Sequence, residues 1–336
     1  MLKMMGKTSF SSSSYSYCRS TRGMLFLHTT PIVALFPSKS SNSTKSRQTQ
    51  RGKPRVGNVE HALKVFDEML HSRPLPSAIR FTQILTQLAR LKHYSAVISL
   101  NREMSLLGIA SNVYTLTIII NCYCHLNQMG YALSVLGQFF KSGLQPDVAT
   151  FTTLIHGFVL QNRVAEAARL FSKMLGRGHC QPNVFTFNTL IKGFCMIGNN
   201  SAAMELLRKM EERGCQPDTV TYNTIIDSLC KDTLVDQALN LFTEMIGRGI
   251  APSVVTYNSL IDGVCRLGKW KEAKRLLNEM VSKNIFPNVR TFTVLVDALC
   301  KEGMVAEAKS VVEMMIQRGI EPDMVTYSSL MDGYCL

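Results

Sequence analysis

Ten cysteines are the first candidates for chemistry in this chain of 336 residues, because thiolates ligate metals, attack electrophiles and pair as disulfides. Their spacing argues for another role. Cys195, Cys230, Cys265, Cys300 and Cys335 stand 35 residues apart, and Cys124 precedes Cys195 by two such intervals plus one residue. Metal and redox cysteines gather in short motifs, whereas Cys122 and Cys124 are two apart, and no second ligand pair accompanies His125 within motif range. The periodic cysteines therefore read as small core side chains on a repeated apolar stripe. A basic series shares the period: Arg90, Lys231, Arg266 and Lys301 hold one place in their intervals, where His125, Leu160 and Met196 stand in the others. Cations repeated at one angular position form a stripe suited to phosphates. Motifs that organise catalysis, such as GxxxxGK[ST], HExxH and GxSxG, are missing from the sequence. The expectation is a protein that is not an enzyme, with no catalytic residue, metal, cofactor or small-molecule substrate.

The elements that would position these residues follow from the same period. Pro217, Pro252, Pro287 and Pro322 repeat at 35 residues, as do Met210, Met245, Met280 and Met315, and Ala203, Ala238, Ala273 and Ala308. Seven complete units span 78–323; residues 59–77 read as the second half of an earlier unit and 324–336 as the first half of a later, truncated one. In 254–288, Tyr257, Leu260, Ile261, Val264 and Cys265 fall on one helical stripe, and Ala273, Leu276, Leu277, Met280 and Val281 on another. Gly268 lies between the stripes, where a helix ends in a left-handed residue; Gly198, Gly303, Asn127 and Asn162 hold the same place. One such hairpin cannot bury both stripes, but stacked hairpins can. The expected fold class is all-α, a right-handed superhelical solenoid of 35-residue helix-turn-helix repeats. Its last helix would leave an apolar face bare where a solenoid needs a polar cap, which suggests a truncated product or a partial gene model.

The net charge of +13 is concentrated before this array: residues 1–59 carry ten Lys/Arg and no acid, leaving 27 basic and 24 acidic residues in the remainder. The Ser-rich, acid-free segment 1–58 has the composition of an organelle transit peptide, with the mitochondrion favoured over the chloroplast by its arginines; the alternative is a disordered basic tail or an RNA-binding arm. Its apolar stretch, Met24–Phe36, is 13 residues long, too short to span a bilayer.

Strings such as DTVTYNTIIDSLCK (218–231), SVVTYNSLIDGVCR (253–266) and DMVTYSSLMDGYC (323–335) resemble the pentatricopeptide repeat family, in its plain tandem class. The likeness covers 59–336 and is closest in tone to the restorer-of-fertility-like proteins of plants. The related tetratricopeptide repeat, which is 34 residues long and binds peptides, places Trp and Gly in its first helix. Here Trp270 is the only tryptophan and begins a second helix.

The resemblance implies sequence-specific binding of single-stranded RNA, an organellar transcript, at one base per repeat. It implies that the fifth and last residues of each unit meet a base edge together: Thr82 with Asn112, Thr117 with Asp147, Thr152 with Asn183, Asn188 with Asp218, Asn223 with Ser253, Asn258 with Asn288, and Thr293 with Asp323. Ionised Asp only accepts hydrogen bonds, whereas Asn and Ser both donate and accept. A ring N–H of uracil or guanine satisfies Asp; adenine and cytosine lack that N–H. In the family Thr at the fifth position goes with purines and Asn with pyrimidines, giving 5′-AGAUCYG-3′ for the seven units. The second residues, Ile79, Tyr114, Phe185, Val220, Val255 and Arg290, would pack on base faces, Arg290 through its guanidinium plane; Ala149 offers little surface. Arg90, Lys231, Arg266 and Lys301 would meet phosphates. The expected role is passive, in RNA processing, stability or translation, with a processing nuclease recruited indirectly. The rival readings are a protein-interaction scaffold and a non-functional truncated fragment.

Overall fold

The computed structural model describes residues 59–176 and 180–335. The expected leader at 1–58 lies outside the described residues, as do Gly178 and His179 in the closing loop of the third unit. The described chain is a succession of short α-helices: α1 (Val59–His71), α2 (Ala78–Arg90), α3 (Tyr94–Leu106), α4 (Val113–His125), α5 (Met129–Lys141), α6 (Val148–Leu160), α7 (Val164–Gly176), α8 (Val184–Met196), α9 (Asn200–Glu212), α10 (Thr219–Lys231), α11 (Val235–Gly247), α12 (Val254–Arg266), α13 (Trp270–Ser282), α14 (Val289–Lys301), α15 (Val305–Gln317) and α16 (Met324–Cys335).

Helix lengths are set by what starts and stops each helix. First helices begin at a residue whose side chain caps them: Asn112, Asp147, Asn183, Asp218, Ser253 and Asn288 each accept the backbone N–H of the Thr three places on. That satisfies one of the donors a helix start leaves open. At Asn183, Asp218, Ser253 and Asn288 the threonine hydroxyl reciprocates by accepting the cap's own N–H, closing a capping box. First helices end on a left-handed residue. At Gly268, φ is 65°, its N–H reaches the Cys265 carbonyl at 2.9 Å and the Lys269 N–H reaches Val264 at 3.0 Å. This is the paired bonding that terminates a helix into a tight turn. Gly198, Gly303, Asn127 and Asn162 turn in the same way, as their types led one to expect. Lys92 and Thr233 also turn with positive φ, residue types that carry no signal for that conformation.

The core lies between two layers. The first helices α2, α4, α6, α8, α10, α12, α14 and α16 pack in sequence on one another, and second helices pack on the first helices flanking them. An aromatic at the fourth place of the first helix enters from one side: Phe66 meets Phe81, Phe171 meets Phe187 and Phe242 meets Tyr257, edge to face, with centroids 5.0–5.5 Å apart. Ala203, Ala238, Ala273 and Ala308 and the methionines Met210, Met245, Met280 and Met315 are buried. The stripe of periodic cysteines faces the next first helix: a Cβ on Gly263 would lie 2.8 Å from Cys230, and one on Gly333 would lie 2.5 Å from Cys300. Small residues there let successive first helices approach closely. The described chain is thus an all-α solenoid. Among the described residues no helix is long and apolar enough to cross a membrane.

Candidate nucleic-acid interface

Packing first helix on first helix brings the fifth residue of one unit against the third residue of the next. The third residues, Thr115, Thr150, Thr186, Thr221, Thr256, Thr291 and Thr326, are all fully buried. Each hydroxyl lies 2.6–2.9 Å from the fifth side chain of the preceding unit: Thr82, Thr117, Thr152, Asn188, Asn223, Asn258 and Thr293 in turn. The fifth residues therefore lie on the seam between successive first helices, in register along the solenoid.

The last residues reach the same seam because they cap the following helix. Where the fifth residue is Asn, the pair meets directly: the Asn188 amide donates to Asp218 at 3.2 Å, Asn223 to Ser253 at 3.2 Å and Asn258 to Asn288 at 3.4 Å. Where it is Thr, the pair is joined only through the buried threonine. Thr115 lies 3.1 Å from Asn112, Thr150 lies 2.8 Å from Asp147, Thr186 lies 3.0 Å from Asn183 and Thr326 lies 2.9 Å from Asp323. Burial raises the Asp218 pKa, but the backbone and hydroxyl of Thr221 and the Asn188 amide outweigh it and hold the carboxyl below its ordinary value. The Asp323 pKa is lowered by its bonds from Thr326. Both are acceptors at neutral pH.

Beside the seam stand the second residues, and their exposure is unusual for their types. Ile79, Tyr114, Phe185, Val220 and Val255 are 58–75 % exposed, although each belongs to a helix whose other large apolar groups are mostly covered. Ala149 and Arg290 are exposed as well. The result is a regular row of apolar surfaces next to a row of hydrogen-bonding groups.

The basic series divides into two kinds. Lys231 pairs with Asp227 at 2.6 Å, Arg266 with Asp262 at 2.9 Å and Lys301 with Asp297 at 2.6 Å, each one helical turn apart. Arg90 has Thr86 at the equivalent place. The aspartates share the 35-residue period, and that spacing is the signal by which the sequence could have shown them. Upstream the same face carries Arg90, Lys92, Tyr94, Asn121 and His125 around an open cleft of about 420 Å³. The Tyr94 and His125 rings stack at 4.7 Å. Burial and then the Lys92 charge hold the His125 pKa below its ordinary value; burial, His125 and Lys192 do the same at His156.

The thiols take no part in this surface. Burial pushes Cys122, Cys124, Cys230 and Cys265 up to about 12 and Cys195 up to about 11, so they stay protonated, unlike metal-binding or nucleophilic cysteines. Among the described residues no group of three or more His, Cys, Asp or Glu could hold a metal ion.

Comparison with known proteins matches this architecture to the model described as the PPR repeat family, over residues 116–160, 146–196, 182–231, 217–266, 252–301 and 294–336, and to a single PPR repeat over 55–73. The chain belongs to the PPR repeat family. Among curated PPR proteins, it is 48% identical over 114 residues to a mitochondrial pentatricopeptide repeat-containing protein of Arabidopsis thaliana, covering 34% of this chain and 19% of the relative. A second mitochondrial Arabidopsis protein is 41% identical over 88 residues, covering 26% of this chain and 14% of the relative. The matched segments thus span less than a fifth of those PPR proteins. Among solved structures, the pentatricopeptide repeat protein PPR10 from maize superposes with a TM-score of 0.62 at 27% identity, covering 80% of this chain and 39% of that one.

Proposed function

We propose that this chain binds single-stranded RNA along the seam of its first helices, one nucleotide per repeat, and acts in the processing, stability or translation of an organellar transcript. One observation carries the reading. From α2 to α16, hydrogen-bonding pairs recur once per unit in the same contact with the next helix, each preceded in its helix by an exposed second residue. That arrangement suits a flexible polyanion whose bases are splayed onto stacking surfaces and read at their edges. Thr82, Thr117, Thr152, Asn188, Asn223, Asn258 and Thr293, with their partners Asn112, Asp147, Asn183, Asp218, Ser253, Asn288 and Asp323, read the base edges. Ile79, Tyr114, Phe185, Val220, Val255 and Arg290 support the base faces. Arg90, Lys231, Arg266 and Lys301 face phosphates, Arg90 without an acidic partner one turn away.

In this role the chain is a passive binder, and any processing falls to a nuclease recruited indirectly to the complex. The mitochondrial relatives support a mitochondrial location. An electrophoretic shift with 5′-AGAUCYG-3′ against a scrambled probe of equal composition tests the reading. Preferential binding of the first probe is expected; equal affinity for both would end the claim that bases are read.

A further inference from the structure

We infer that the buried threonine at the third place of the first helices from α4 to α16 is a specificity-positioning residue for the repeat before it, so that each base is read by side chains fixed from the neighbouring unit. The inference rests on the base-reading function proposed above and goes beyond it, because the threonine itself faces no base.

The argument turns on counting hydrogens. At neutral pH an Asn side chain can point either its oxygen or its nitrogen at a base, and in solvent it flips freely between donor and acceptor. Here the choice is made by the next helix. The Thr221 hydroxyl lies 2.6 Å from Asn188 Oδ1, Thr256 2.6 Å from Asn223 Oδ1 and Thr291 2.7 Å from Asn258 Oδ1. The cap oxygens of Asp218, Ser253 and Asn288 lie 2.8–3.3 Å from the same hydroxyls, and with the carbonyl oxygen facing the hydroxyl the amide nitrogen is turned towards Asp218, Ser253 or Asn288. One of its two N–H groups serves that bond and the other remains for a ligand. Each fifth-place Asn is thereby set as a donor.

A fifth-place Thr is set the opposite way. Thr82, Thr117, Thr152 and Thr293 give their single hydroxyl hydrogen to a backbone carbonyl four residues back, at 2.7–2.9 Å. The buried threonine of the next helix has one hydrogen for two neighbours, the fifth-place oxygen and the cap oxygen at 2.8–3.1 Å, and whichever it serves, the fifth-place hydrogen is spent on the backbone carbonyl or on the buried hydroxyl. That oxygen keeps a lone pair and no hydrogen for a base. The buried threonine therefore fixes donor polarity at Asn, and with the backbone carbonyl it leaves only acceptor polarity at Thr. Both pyrimidines carry the O2 acceptor that a fixed Asn donor can satisfy. In the last complete unit the threonine is Thr326 of α16, so this half-unit completes the reading pair Thr293 and Asp323.

The test compares the full chain with Thr256→Val and Thr256→Ser, using anisotropy on the seven-letter RNA and on probes with purine substituted at the fifth or at the sixth nucleotide. Val keeps the shape and loses the hydroxyl. The expected result is that Thr256→Val reduces the pyrimidine preference at the fifth nucleotide by about tenfold, the scale of one oriented hydrogen bond, leaves the preference at the sixth, and that Ser restores it. Retained preference at the fifth nucleotide, or equal loss at both, overturns the inference. A wild-type chain indifferent to every substitution instead removes the base-reading function beneath it. Should the Val variant fail to fold, wild-type side-chain amide resonances decide. Asn188, Asn223 and Asn258 are expected to be dispersed and slow to exchange, and coincidence with the exposed Asn240 would refute the fixed orientation.

Discussion

At Gly263 the whole geometry of the groove depends on a missing methyl group. A Cβ there would stand 2.8 Å from both Cβ and Sγ of Cys230, with the Cys230 Cα at 3.4 Å, so the obstacle is close to backbone and cannot swing away. Gly263→Ala should destabilise the chain by about 1–3 kcal/mol, the cost of overpacking a closed contact, read as a lower urea midpoint; an unchanged midpoint would show that the first helices can part at no cost. The cysteine side of this contact was legible in the sequence, since its period and apolar neighbours marked it as core. Its glycine partner was not, because the place holds Cys122, Gly157, Gly193, Ser228, Gly263 and Ala298 in the second to seventh units, after Gln87 in the first. Smallness rather than identity is what repeats there, and a search for repeated identities passes over it. The buried threonines escaped for a different reason. Their identity repeats plainly, but their partner lies a whole unit away, and only the pitch of the stack says which side chain that is.

At the scale of the helix, start and stop signals did most of the work. Asp, Asn or Ser before the first helices from α4 onwards and Gly or Asn after most of them place the hairpins, because those residues satisfy open backbone groups or tolerate left-handed backbone for local reasons. Thr233 shows where local reasons run out. It turns at φ 61° with a β-branched side chain, a conformation costing of order 1–3 kcal/mol in a non-glycine residue, and it is held there because the helices on both sides are already packed. Thr233→Asn should relieve part of that cost and raise the midpoint of thermal unfolding, by roughly 1 kcal/mol of stability. A lower midpoint would mean that the Thr233 hydroxyl bond to the Asp232 carbonyl, 2.7 Å long, outweighs the backbone term.

Over the whole molecule, charge is distributed less evenly than the spacing of Arg90, Lys231, Arg266 and Lys301 suggested. Three of these cations have an aspartate one turn away at 2.6–2.9 Å, so the downstream half of the stripe is close to neutral. Upstream, Arg90, Lys92 and Lys192 stand with His125 and His156, whose lowered pKa values keep them uncharged at neutral pH. Surface ion pairs of this kind contribute little to stability, so their removal tests electrostatics rather than folding. Replacing Asp227, Asp262 and Asp297 together by Asn should tighten RNA binding across sequences. It should also steepen the fall of affinity with salt, by up to about 0.7 in log–log slope for each phosphate newly neutralised. An unaltered slope would place the RNA backbone away from these three side chains.

The caps of the first helices carry a consequence for how such a surface can change. Asn112, Asp147, Asn183, Asp218, Ser253, Asn288 and Asp323 each close the start of a helix and, in the function proposed above, also meet a nucleotide. A mutation that retargets one letter therefore also edits a folding signal, and Leu or Val at that place forfeits about 1 kcal/mol of helix stability whatever base it favours. The vocabulary open to drift is confined to the handful of short polar side chains that can begin a helix. New targets are reached more cheaply by exchanging whole repeats than by exploring all twenty residues at one position.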